Sequence, residues 1–216
     1  MGDRLRPLWD FDDLDASEQR FRAQLNREVS DEGRAEVLTQ LARVYGLREQ
    51  IAEGDRLIDQ ATALASSSAI VSIRIQLERG RLLRSGGDDA GALRLFKSAF
   101  EAARQAGKQF LAADAAHMAA LAAPDRQAML AWTDKGTRIA ESSSDPEVSY
   151  WLGPLLNNLG GAYMDSGEYS EALDSFQRAL EVRKRYPEMP VALQHAKEAV
   201  VEALTALGRE EEASRV

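Results

Sequence analysis

The sequence predicts an all-α chain of about five helix-turn-helix repeats behind one capping helix, and three observations carry that prediction. Ala and Leu dominate a 216-residue chain that is 44% hydrophobic and 29% charged with 6 prolines, a composition that favours helix over strand and folding over disorder. The stretch Leu155-Leu156-Asn157-Asn158-Leu159-Gly160-Gly161-Ala162-Tyr163, continued by Gly167, Ala172, Phe176 and Ala179, sets small and aromatic residues where two packed antiparallel helices need them. The same spacing then recurs along the chain.

With Gly160 as origin, Tyr163 falls at +3, Gly167 at +7, Ala172 at +12, Phe176 at +16 and Ala179 at +19. The +3 offset stays on one helical face, and +12, +16 and +19 share a face of a second helix. Gly167 is the turn between them. Small residues at the origin and +12 let the helices approach, and the aromatic residues fill the space beside them. From Gly80 the pattern reads Leu83, Gly87, Ala92, Phe96, Ala99; from Ala42, Tyr45, Glu49, Gly54, Ile58, Ala61. From Ala116 it reads Ala119, Ala123, Ala128, Trp132, Lys135, and from Val201, Leu204, Gly208, Ala213 before the sequence stops. The origins lie 38, 36, 44 and 41 residues apart. A generic helical bundle with Ala-rich seams is the alternative, and repeated hits on one multi-point pattern favour the repeat.

In chain order, a first helix from Asp13 to Glu28 puts Leu14, Phe21 and Leu25 on one face and charge on the other, as a cap with a polar outer surface should. Trp9 and Phe11 flank an acidic run before it. They either staple onto that helix or occupy a neighbour's groove. Loops are marked by Ser66-Ser67-Ser68, Ser85 to Asp88, Ala123 to Asp125, Ser142 to Pro146 and Tyr186 to Pro190. Asp145 reads as an N-cap with Pro146 in the first helical position. Pro154 then falls inside one long, kinked helix expected from about 146 to 165. The domain is expected to be single, with a cap at 1–30, repeats at 35–67, 73–107, 109–143 and 153–187, and a truncated last repeat at 190–216. Glu210, Glu211 and Glu212 give that end a solvated surface; completion of the truncated unit by a second copy would make a homodimer, and the expectation is a monomer or homodimer.

The small, Tyr, Gly, Ala, Phe and Ala residues at these offsets resemble the tetratricopeptide repeat (TPR). The unit from Gly153 to Pro187 matches almost fully, 73–107 matches well, and 35–67, 109–143 and 194–216 match in part. The resemblance implies a right-handed α-α superhelix, a solenoid of stacked helix pairs. Departures are the longer period, Glu49 at a turn-glycine position and Lys135 where a small residue belongs.

Composition and motifs narrow the function. The net charge of −8 argues against a nucleic-acid partner. With no cysteine, disulfides and thiolate metal sites are excluded. No apolar run approaches the roughly 18 residues of a membrane span. The stretch Met1-Gly2-Asp3-Arg4-Leu5-Arg6-Pro7 lacks a signal-peptide apolar core, and Arg6 rules out myristoylation of Gly2. The expectation is a cytoplasmic protein without a membrane partner. No phosphate loop accompanies Gly86-Gly87, and Gly160-Gly161 inside a helix reads as a packing device. The run Asp10, Asp12, Asp13, Asp15 lacks the glycine of a calcium loop and has Phe21 where its last glutamate belongs. His117 and His195 have no neighbour at metal-ligand spacing. Neither metal, cofactor nor catalysis is expected.

What remains is the concave surface, which in the family is lined by the first helix of each unit at origin −6, −3, +1 and +4. Carried over, the resemblance implies Glu36, Thr39, Arg43, Gly46; Arg74, Leu77, Arg81, Arg84; Phe110, Ala113, His117, Ala120; Pro154, Asn157, Gly161, Met164; and His195, Glu198, Glu202, Thr205. Arginine forks suit carboxylates, the Asn157 amide can bond a peptide backbone through donor and acceptor, and Phe110 and Met164 offer apolar contact. The expected partner is a protein or peptide segment with an acidic part near Arg43, Arg74, Arg81 and Arg84, which then reaches Phe110, His117, Asn157, Met164 and His195. The alternative for the arginines is a solvated face that balances acids such as Glu78. A family clamp for a terminal carboxylate is not expected, because Thr39, Arg43, Glu78, Phe110 and Asp114 occupy its places. A non-catalytic binding scaffold is thus the leading expectation, ahead of a peptide-sensing regulator and a self-assembling structural oligomer.

Overall fold

A computed structural model describes residues 3–64 and 67–216. Met1, Gly2, Ala65 and Ser66 lie outside the described residues, and with them the start of the chain and the Ser66 end of the first expected loop. Among the described residues the α-helices are α1 (Leu14–Arg27), α2 (Asp31–Leu47), α3 (Ile51–Leu64), α4 (Ala69–Ser85), α5 (Asp89–Gln105), α6 (Gln109–Leu121), α7 (Arg126–Glu141), α8 (Pro146–Ser149), α9 (Leu152–Asp165), α10 (Tyr169–Arg183), α11 (Pro190–Ala206) and α12 (Glu210–Ala213), preceded by a single 3-10 turn at Arg6–Leu8; there is no strand.

Local chemistry sets these boundaries. Asp13, Ser30, Asp88 and Asp125 each accept, through the side chain, the backbone N–H three residues on, which satisfies a donor the helix leaves open. The turns within pairs fall where the +7 position needs a left-handed residue: Gly87, Gly167 and Gly208 have φ of 88°, 74° and 70°. Glu49 is held at φ 61° in the same position of the first pair. The seams also obey the pattern. A Cβ built on Gly80 would lie 2.5 Å from the Phe96 ring, and one on Gly160 would lie 2.4 Å from the Phe176 ring. The helices α2/α3, α4/α5 and α9/α10 therefore pack as pairs.

One expectation is modified. The long kinked helix over 146–165 is instead two helices. The chain breaks at Tyr150 and Trp151, where Trp151 is 6% exposed and the Tyr150 ring meets Tyr186 edge-on at 5.3 Å and Arg183 at 4.8 Å. Pro154 thus falls in the first turn of α9, where its missing N–H leaves no bond unmade. The structure also divides into two compact units, one ending at Pro124 and one beginning at Asp125. That boundary falls inside the expected third repeat, so α6 belongs to the first unit and α7 to the second.

Candidate partner-binding surface

The residues at the family's concave offsets form a stripe along the first helix of each pair. In the first unit that stripe is carried by α2, α4 and α6, and much of it is buried: Glu36 is 7% exposed, Thr39 0%, Arg74 5% and Leu77 1%. The cover on α2 and α4 is the segment before α1. Leu5 is 1% exposed within the core cluster of α1 to α4, and Leu8 and Trp9 pack against that cluster. The Asp3 carboxylate sits 2.6 Å from Arg74 Nη2, and Arg74 Nε lies 3.3 Å from Glu36 Oε2. Arg4 reaches Glu28 at 2.6 Å and Glu36 at 3.3 Å. Trp9 donates its indole N–H to Gln40 Oε1 at 3.0 Å, stacks on Phe11 at 4.6 Å and meets Phe21 edge-on at 5.0 Å. The guanidinium of Arg43 lies over both rings, 5.4 Å from Trp9 and 5.3 Å from Phe11. The contact with Phe21 is the staple that the sequence suggested. The rest of the segment's seat, on α2 and α4, was not foreseen.

Farther along the same stripe the charges pair with one another. Arg81 holds Glu78 at 2.5 Å and also bonds Asp114; Glu78 and Asp114 are each 2% exposed. Burial opposes charge on the Asp114 carboxyl, but Arg81 and then Arg43 outweigh it and hold its pKa below the ordinary value. Burial and the nearby Arg81 lower the pKa of Arg43. A cavity of about 190 Å³ adjoins this cluster, lined by Arg43, Glu78 and Arg81 with Gly46, Leu82 and Met118. The carboxylates expected of a partner at Arg74 and Arg81 are therefore supplied by the chain itself. Arg84, with its side chain 40% exposed, lies at the edge of that cavity, 3.8 Å from Asp89, and donates to the Leu121 carbonyl at 3.4 Å. Phe110 and His117 are half-buried on α6.

The second unit is different. On α9 and α11 the stripe residues Asn157, His195, Glu198 and Glu202 are exposed. Met164 packs partly into the core cluster of α10 and α11. The two adjacent glycines separate in role, which corrects their reading as a joint packing device. Gly160 is pressed against Phe176, whereas a Cβ on Gly161 would meet nothing within 4 Å. Gly161 thus leaves open backbone on the stripe one turn from Asn157. Beside α11 an open cleft of about 370 Å³ is lined by Glu198 and Glu202 among others. Among the described residues no group of three or more His, Asp or Glu side chains is placed to hold a metal. No helix among them is long and apolar enough to cross a membrane.

Packed helix pairs with glycine turns define the class of helical-repeat folds. Residues 154–186 match the tetratricopeptide repeat family. That unit is a tetratricopeptide repeat, and the chain as a whole has the fold of the TPR-like repeat proteins. Solved structures agree on the fold. BtubC (BKLC) from P. vanneervenii is 14% identical with a TM-score of 0.71, over 99% of this chain and 88% of that one. A Rap protein complexed with Competence and Sporulation Factor is 14% identical with a TM-score of 0.70, over 98% of this chain and 70% of that one. A Podospora anserina kinesin light chain with nearly identical TPR-like repeats is 18% identical with a TM-score of 0.62, over 87% and 93%. No curated protein matches by sequence.

Proposed function

We propose that the protein is a non-catalytic interaction scaffold that holds a peptide segment of a partner protein along its first-helix stripe. The observation that carries this reading is the seat of residues 3–11: a short segment lies on the stripe of α2 and α4 through an ion pair, an indole hydrogen bond and a guanidinium over two rings. A surface that takes one segment of its own chain has the chemistry to take another. In the second unit the open stripe at Asn157 and Gly161 offers an amide with both donor and acceptor beside bare helix backbone, which suits an extended peptide. The Rap protein of similar fold was solved in complex with a second molecule, which supports the reading at the level of the fold.

The test is a selection of random peptides displayed on phage against the full chain. Enriched peptides are expected to bind the wild type and to lose about ten-fold or more in affinity on Gly161→Arg or Asn157→Ala, a loss of the size expected for central contacts. Gly161→Arg fills open space and leaves the packing intact. No enrichment, or peptides indifferent to both substitutions, would overturn the proposal.

A further inference from the structure

We infer that the stripe of α2 and α4 is a receptor site for a peptide with the chemistry of residues 3–11, which occupy it in the free protein. The inference rests on the scaffold reading and adds the ligand's class: a carboxylate, an aliphatic residue two positions on, an indole four further, and an aromatic ring two beyond the indole.

Each feature has a counterpart on the helices. The carboxylate of Asp3 meets Arg74, whose side chain is 7% exposed and is oriented from behind by Glu36. A guanidinium fixed in this way is a ready receptor for a carboxylate. Leu5 fills a site inside the core cluster. The indole N–H of Trp9 finds Gln40, itself 3% exposed and held by its amide N–H to Thr39 Oγ1 at 3.1 Å. Phe11 completes a two-ring stack beneath Arg43, and the Arg6 guanidinium also lies over the Phe11 ring, 5.1 Å from its centroid.

The receptor side consists of buried, mutually oriented polar groups, whereas Trp9 and Phe11 remain only half-buried. The segment also ends within a few residues of α1, to which it is tied where the Asp10 backbone N–H donates to Ser17 Oγ at 2.7 Å. Such a short tether gives it an effective concentration on the order of millimolar. A partner in trans must therefore compete with it, and the occupied site is silent to weak ligands.

The test uses a fluorescein-labelled synthetic peptide spanning Asp3 to Asp13 and the full-length protein, read by fluorescence anisotropy. Wild-type protein is expected to bind it weakly. The full-length variant Trp9→Ala with Phe11→Ala, whose own segment is released, is expected to bind it about ten-fold or more tightly, as removal of a tethered competitor requires. Peptides in which the tryptophan or the first aspartate is replaced by alanine should lose that gain, and Gln40→Ala in the variant should weaken it. Should the double variant fold poorly by circular dichroism, Phe11→Ala alone removes only a half-exposed ring and is expected to give the same order of affinities. A folded variant that binds the peptide no more tightly than the wild type would overturn the inference. Phage selection that yields ligands for the Asn157 stripe alongside that failure would leave the scaffold reading standing.

Discussion

The first unit and the second carry the same helix-pair geometry with opposite surfaces. On α2, α4 and α6 the stripe is mostly closed: Glu36 and Arg74 are buried, Arg81 is held by the buried Glu78 and Asp114, and a segment of the chain lies over part of it. On α9 and α11 it is open, and the second unit's buried polar residues among those described are uncharged, Thr133 and Ser175. The seams that pair the helices are alike, Gly80 on Phe96 in one unit and Gly160 on Phe176 in the other. The repeat therefore constrains the packing face and leaves the stripe free. One unit has used that freedom to bury charge and seat a segment, the other to keep backbone and an amide exposed.

The largest expected effect comes from breaking the closed stripe. Arg81→Ala leaves Glu78 and Asp114 buried without their shared partner. Removal of one member of a buried charge group destabilises by about 3–5 kcal/mol, chiefly through the uncompensated charge left behind. The loss should appear as faster hydrogen exchange in α4 and α6 and a lower urea midpoint. A change below about 1 kcal/mol, the range of exposed pairs, would mean that the cluster is solvated and that the contrast between the units is weaker than the geometry implies.

Much of this architecture was legible in the sequence because helix packing is short-ranged. A glycine sixteen residues before a phenylalanine meets it across one turn, so the spacing alone placed both seams. The start of the first helix near Asp13, the N-cap at Asp145 and the turn at Gly167 were equally local. The stripe positions were legible, but their environment was not. Arg74 meets Asp3 across 71 residues and Arg81 meets Asp114 across 33, and no periodicity links such pairs. Only the i,i+3 pair of Glu78 and Arg81 was within reach of inspection, and it pointed to internal balance. The break at Tyr150 escaped for the same reason, since Arg183 ends α10 and Tyr186 lies in the turn after it.

An intermediate effect separates the two adjacent glycines of α9. Gly160→Ala places a methyl group against the Phe176 ring, which must move; overpacking of this kind costs about 1–3 kcal/mol. Gly161→Ala meets open space and gains helix propensity, so it should stabilise by about 0.5–1 kcal/mol. Denaturant unfolding of the two variants is thus expected to give shifts of opposite sign. Two shifts of the same sign would show that Gly161 also serves the fold, and the case for an open stripe at that position would fall.

The smallest effect tests the turn geometry shared by the pairs. Gly87, Gly167 and Gly208 adopt the left-handed conformation without penalty, while Glu49 adopts it at φ 61° in the equivalent turn. A side chain held there costs roughly 1–2 kcal/mol. Glu49→Gly removes that strain, but glycine adds about 0.5–1 kcal/mol of conformational entropy to the unfolded chain. The two terms leave a net gain of a few tenths to about 1 kcal/mol. A small rise in the midpoint of denaturant unfolding is the expected result. A fall would mean that the Glu49 side chain contributes more to the α2–α3 turn than its backbone strain removes, and that this pair is stabilised differently from those that turn on glycine.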